Sequence, residues 1–176
     1  MQPYPAPPLI TSEWINTDRP LDIPDFRGQV LVIEAFQMLC PGCVSHGLPQ
    51  AQRVARAFAS DQVTVIGLHS VFEHREAQGT RAALVAFAHE YGLDFPIGID
   101  RQDDRLPATM AAYEMQGTPT LVIIDRQGRR RFQRFGSVDD LRLGIILGSL
   151  VAETELPAED SPQSTAAGCD EDGCAV

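Results

Sequence analysis

Cys40 and Cys43 enclose two residues, Pro41 and Gly42, and a cysteine pair at that spacing does one of two kinds of chemistry. It exchanges electrons as a dithiol and disulfide, or it supplies half of a zinc site. The flanking residues separate the two. Residues 29–36, QVLVIEAF, are a near-continuous run of β-branched and aromatic types, the pattern of a strand buried on both faces. Residues 49–60 place Ala51, Val54, Ala55 and Phe58 on one helical stripe. A cysteine where a strand passes into a helix meets unpaired backbone N–H groups and the positive end of the helix dipole, and both favour a thiolate. Cys40, one turn earlier and nearer solvent, is then the nucleophile that attacks an external disulfide. Cys43, three residues on, resolves the mixed disulfide. Pro41 and Gly42 allow the tight geometry between them. A zinc site would need a second ligand pair, and the other two cysteines, Cys169 and Cys174, stand four residues apart in a polar tail. Redox exchange with no metal is therefore the expectation.

The elements that must position this pair follow an alternating order. A second buried strand is expected at 63–68, then a loop over 70–79 and a helix over 80–91, with Gly92 as its stop. A strand at 95–99 and a short helix at 109–114 come next. Strands at 121–124 and 130–135 flank the turn Asp125-Arg126-Gln127-Gly128, and a helix over 138–152 closes the domain. This order predicts an α/β fold with a mixed central sheet flanked by helices. Residues 9–28 read as an irregular or short-stranded lead-in that carries the only tryptophan, Trp14. Residues 1–8, half of them proline, read as an extended tail. Residues 153–176 are acidic, almost empty of large apolar side chains, and expected to be disordered. One domain over 9–152 with two tails is the expected organisation.

Composition removes several function classes. The chain has 176 residues and a formal net charge of −10. Seven of its acids lie in residues 153–176, which hold no base, so the domain itself is close to neutral. An acidic chain with no basic stripe is a poor ligand for nucleic acid, whose binding draws on phosphate neutralisation. All 14 bases are Arg, and the absence of Lys excludes a Schiff base or a phosphate-binding P-loop lysine. The N-terminal MQPYPAPPLI lacks the basic and apolar regions of a secretory signal. The late apolar run 143–152 is too short to cross roughly 30 Å of hydrocarbon. A cytoplasmic protein with no membrane span is expected, and cysteines in a reducing compartment are more often catalytic, redox-sensing or metal-binding than structural.

With these residues in view, the chain resembles the thioredoxin-like superfamily, and within it the TlpA-like and redoxin (AhpC/TSA-type) disulfide reductases. The resemblance runs over about residues 22–150. It is carried by IPDFRGQVLVIEAF leading into the cysteines, by VTVIGLH, by YGLDFPIGID and above all by GTPTLVIIDRQGR. It implies that Pro119 is a cis proline facing the two cysteines and shaping a substrate groove. It also implies that Thr118 offers backbone groups to an extended substrate strand. Glu34, six residues before Cys40, stands where thioredoxins carry a buried acid. A carboxylate inside such an apolar run is already unusual, and desolvation would raise its pKa and suit it to accept the proton of Cys43.

Two departures from the family pattern stand out. Leu39 replaces the aromatic residue usual before the first cysteine, which makes Met38 and Leu39 an aliphatic rim. The helix proline falls at Pro49, one place late, so residues 44–48 are expected to be bulged. His46 lies in that stretch and is expected to face solvent. His69, His74 and His89 are scattered and suggest no metal site. Cys169 and Cys174 bracket Asp170, Glu171, Asp172 and Gly173; they are either plain tail thiols, an auxiliary redox pair or soft metal ligands. The expected function is thiol:disulfide exchange in the reductase direction on protein or small-molecule disulfides, with an upstream dithiol reductase as donor. The redox-active Cys40–Cys43 disulfide would be the only prosthetic chemistry. A thiol peroxidase is the second reading, weakened because no Pro-X-X-Thr-X-X-Cys pattern precedes Cys40. A non-catalytic metal- or partner-binding module is the third.

Overall fold

A computed structural model describes residues 4–153. Its framework is a seven-stranded mixed sheet. In chain order the strands are β1 (Tyr4–Pro5), β2 (Thr11–Ile15), β3 (Val30–Phe36), β4 (Val63–His69), β5 (Ile97–Asp100), β6 (Thr120–Ile124) and β7 (Arg129–Phe135). Across the sheet they run β1-β7-β6-β3-β4-β5-β2. β3 pairs in parallel with β4 and antiparallel with β6, so it is central. All seven of its residues are buried, which is what its continuous apolar run requires.

The two-residue period of a strand sorts β3 between two cores. Val30, Val32 and Phe36 pack with Leu48, Ala51 and Val54 of α1 (Leu48–Ala57), Leu84 and Ala88 of α3 (Arg81–Glu90), and Leu143, Leu147 and Leu150 of α5 (Asp140–Ala152). Leu31, Ile33 and Ala35 face the other core, with Met110 of a short helix (Ala108–Ala112), Tyr113 and the lead-in residues Leu9, Ile23 and Phe26. Glu34 shares the parity of Val32 and Phe36, so it points toward α1 and α5. Each aliphatic side chain buried along β3 contributes about 1.5–3 kcal/mol, which together outweighs the cost of keeping one neutralised carboxyl out of water.

Helix ends follow the sequence. Thr80 caps α3 by accepting from the Ala83 N–H, and Asp139 caps α5 by accepting from the Arg142 N–H. Gly92 ends α3 with φ of 61°. Asp100, fully buried at the end of β5, accepts from Ser70 Oγ at 2.8 Å, Thr109 N at 2.8 Å and Met110 N at 3.0 Å. It ties the sheet to the helix that follows.

Several segments differ from expectation. Tyr4 and Pro5, read as tail, form an edge strand on β7, pairing with Arg130 and Arg129. An edge position suits a proline, which has no N–H to give. The lead-in, expected to be irregular or short-stranded, does hold a short strand, β2, with a 3-10 turn, Ile23–Phe26, capped by Asp22. The loop over 70–79 holds a one-turn helix, α2 (Arg75–Gln78). Glu153, read as tail, makes a two-pronged ion pair with Arg131 at 2.7 and 2.8 Å. No helix among the described residues is long and apolar enough to cross a membrane. Cys169 and Cys174 lie outside the described residues.

Candidate active site

Cys40 ends the loop that leaves β3, and helical backbone begins at Pro41. Pro41 suits a first helical position, where its missing N–H costs nothing. The Val44 N–H donates to the Cys40 carbonyl at 3.1 Å, and the Cys43 N–H donates to Cys40 Sγ at 3.3 Å. Cys40 is thus the N-cap of its helix, with the sulfur as the capping acceptor, and a backbone N–H meets the charge that develops on it. The Cys40 thiol in turn donates to the Thr118 carbonyl at 3.4 Å.

The two sulfurs are unequally placed. Both are free thiols, Cys40 half-buried and Cys43 with 0% exposure. Burial first, and then the Cys40 sulfur beside it, push the Cys43 thiol far above the usual range. A groove of about 310 Å³ lies along Cys40, lined by Leu39, Pro41, Phe72, Thr118 and Phe135 among others.

The irregularity expected after Cys43 is a π-helical turn, Cys43–Gly47, in which the Leu48 N–H donates to the Cys43 carbonyl. A π turn holds one more residue than an α turn, which accommodates the late Pro49. That turn carries Gly47 over Glu34. A Cβ on Gly47 would collide with Glu34 Oε1 and come within 3.1 Å of Pro119 Cβ, while one on Gly42 would come within 3.3 Å of Pro119 Cδ. The Thr118–Pro119 bond is cis, and the proline ring packs against both glycines. Glu34, Pro119 and the cysteine turn therefore form one packed unit.

Glu34 is 2% exposed, its Oε1 has no hydrogen-bond partner, and burial pushes its pKa up to about 8. It lines a cavity of about 260 Å³ with Gly47 and Pro119, and His46 lies at the same cavity. His46 is exposed and bonds Ser45 Oγ at 2.6 Å. Of the other histidines, His74 lines the groove along Cys40, while His69 and His89 are apart from it. His69 is buried against Phe36 with ring centroids 5.3 Å apart, His74 precedes α2, and His89 is exposed on α3. Among the described residues no group of three or more His, Cys, Asp or Glu side chains forms a metal set.

The rim differs from expectation in one residue. Leu39 is 56% exposed, but Met38 is 8% exposed and belongs to the core. Met38 and Leu39 are the central residues of a turn closed by the Cys40 N–H on the Gln37 carbonyl, which turns Met38 into the core and leaves Leu39 at the groove. Sequence reasoning missed Phe72, Gln78 and Phe135 beside Cys40, because they come from segments distant in sequence, and it passed over Gln37, three residues before Cys40. A glutamine three residues after a core glutamate was the one local signal.

The AhpC/TSA family model matches residues 6–132. A thioredoxin-like superfamily protein of known crystal structure is 51% identical, with a TM-score of 0.84 over 86% of this chain and 98% of that one. A thiol-disulfide isomerase from Corynebacterium glutamicum is 50% identical, with a TM-score of 0.79 over 85% of this chain and 98% of that one. StoA from Bacillus subtilis, at 22% identity, shares the fold with a TM-score of 0.61 over 78% of this chain and 94% of that one. Nothing among curated proteins matches. A family match over most of the chain, joined to half-identical relatives of the same architecture, makes this chain a member of the AhpC/TSA family and a thiol-disulfide oxidoreductase of thioredoxin-like fold.

Proposed function

We propose that the chain reduces disulfides through Cys40 and Cys43, Cys40 attacking and Cys43 resolving. The unequal burial of the two sulfurs carries the reading: one lies at a groove wide enough for a substrate, the other has no exposure. The Cys40 thiolate attacks one substrate sulfur; the substrate S–S bond breaks and the first product leaves as a thiolate that takes a proton from solvent. Cys43 then gives up its proton, attacks Cys40 Sγ and displaces the second product thiolate. The substrate gains two electrons, and the chain is left with a Cys40–Cys43 disulfide that an external dithiol donor returns to the reduced state.

Cys43 needs a base, because burial holds its thiol protonated. Glu34 is the acid packed beneath the same turn, and with a pKa near 8 it can accept that proton and pass it to the cavity it lines. Pro119 and Thr118 form the wall opposite the cysteines, with Thr118 backbone groups available to a substrate strand. Pro41 and Gly42 keep the approach to Cys40 narrow. The reductase direction fits a reducing compartment such as the cytoplasm. Cys169 and Cys174, whatever their placement, are candidates for an auxiliary redox pair.

Insulin reduction with a dithiol donor tests this. Wild type is active, Cys40→Ser is inactive, and Cys43→Ser accumulates a mixed disulfide on Cys40 that mass spectrometry detects. Full activity in Cys40→Ser would sink the reading, and rapid peroxide consumption without disulfide turnover would replace it with a peroxidase.

A further inference from the structure

Two buried amide side chains hold the groove together without touching the exchange chemistry. Gln37 is 2% and Gln78 1% exposed. Gln37 Oε1 accepts from the N–H groups of Phe72 at 3.2 Å and Glu73 at 3.1 Å, and from Gln78 Nε2 at 3.3 Å. Gln37 Nε2 donates to Thr118 Oγ1 at 3.4 Å. Gln78 Nε2 also donates to the Glu73 carbonyl at 2.8 Å, and its Oε1 accepts from the Leu39 N–H at 3.1 Å. The Gln37 carbonyl accepts the Cys40 N–H at 3.2 Å. Three segments are joined in this way: the loop of Leu39 and Cys40, the irregular backbone at 72–74, and Thr118. All three line the groove.

Buried amides could be replaced by apolar side chains of similar volume if filling space were their only task. What they add is direction, since a satisfied buried polar network selects one arrangement of the chains it joins. The arrangement selected is a second wall for the groove. Phe72 on that wall faces a site shared with Leu39, 56% exposed, and Phe135, 49% exposed. The groove also continues into a neighbouring trough of about 420 Å³, with which it shares Gln116 and Phe135. Together the two have room for more than a small disulfide.

We propose that the Gln37–Gln78 pair is a specificity-determining clamp: it fixes the 72–74 wall against the Cys40 loop, so that the groove favours a disulfide on an extended polypeptide with an apolar residue seated among Leu39, Phe72 and Phe135. The proposal rests on the disulfide-exchange reading above. Gln37 and Gln78 are positioning residues; their side chains touch the walls and not the reacting sulfurs, and only the Gln37 backbone meets the Cys43 thiol.

The test compares three substrates: a disulfide-linked peptide with Leu before its cysteine, the same peptide with Asp there, and hydroxyethyl disulfide. Wild type prefers the Leu peptide by about tenfold in kcat/KM, the discrimination typical of an apolar pocket. In Gln78→Met that preference falls below about twofold, through KM rather than kcat, while hydroxyethyl disulfide loses less than about threefold. Parallel loss on all three substrates, or an unchanged preference, overturns the clamp. Amide exchange at Leu39, Phe72 and Glu73 reads the clamp without any substrate, and should quicken by at least about tenfold in Gln78→Met. If wild type reduces none of the three, the exchange reading fails, and unchanged amide exchange would overturn the clamp separately. Gln78→Glu keeps an acceptor for the Leu39 N–H and serves if Gln78→Met does not fold; it should retain part of the peptide preference, and complete retention of both preference and amide exchange in every variant overturns the proposal.

Discussion

The Glu34 carboxyl occupies the space that a side chain on Gly47 would need. The acid behind the cysteines and the π turn above it are therefore fitted to each other. Gly47→Ala should cost about 1–3 kcal/mol through overpacking, read from the denaturant midpoint. Glu34→Ala in the same chain should recover at least about 1 kcal/mol of that loss in a double-mutant cycle. Additive effects would show that the two positions are energetically independent.

Glu34 also sets a pH dependence. Its pKa rises from 4.5 to about 8 on folding, because burial disfavours the charged form. The folded chain holds a proton there that the unfolded chain releases. Stability from this group is full below pH 4.5 and is lost as pH rises toward 8. The total is about 4–5 kcal/mol. Glu34→Gln should remove this decline, leaving a flatter midpoint over that range and a more stable protein at pH 8. On the proposed mechanism the same variant should slow release of the mixed disulfide, since Glu34 is the base proposed for Cys43. Identical pH profiles in variant and wild type would contradict the buried acid.

His69 acts with the opposite sign. Burial lowers its pKa from 6.5 to about 4, so stability from the neutral ring is full above pH 6.5 and is lost as pH falls toward 4. The loss is about 3 kcal/mol. His69→Leu should remove the acid-side loss and leave the alkaline decline from Glu34 intact, which urea titrations at a series of pH values can separate. An unaltered acid limb in the variant would place the titration elsewhere.

Asp100→Ala should be among the most damaging substitutions away from the cysteines. It strips the partner from two buried backbone N–H groups and the Ser70 hydroxyl, and each orphaned group costs about 1–3 kcal/mol. Thermal melting of the variant should show a large fall in Tm; a shift within error would mean that water replaces the carboxylate at no cost.

Much of the site was legible along the chain. The apolar run of β3 marked a central strand, because only burial on both faces suits seven successive residues of which six are apolar. The cysteine spacing, the late Pro49 and the misplaced polarity of Glu34 are local signals, and each has its structural counterpart in the helix start, the π turn and the buried carboxyl. The groove was legible only in part. Leu39 and Thr118 were expected at it, but Phe72 and Phe135 were not, and no periodicity in the chain tells which distant loop will lie beside Cys40. The Tyr4–Pro5 strand was hidden for the same reason, since a two-residue edge strand exists only by virtue of its partner on β7.

The sequence by itself determined the chemistry available, a two-cysteine redox pair at a strand-to-helix junction with an acid in the strand, because residue type, spacing and local periodicity govern these. Only the tertiary structure decided how unequally the two sulfurs are buried, why position 47 lacks a side chain, and how Gln37 and Gln78 tie three segments into one groove. Those relationships depend on strand order and on packing between residues far apart in the chain, where contact is made by the fold and not by neighbourhood in sequence.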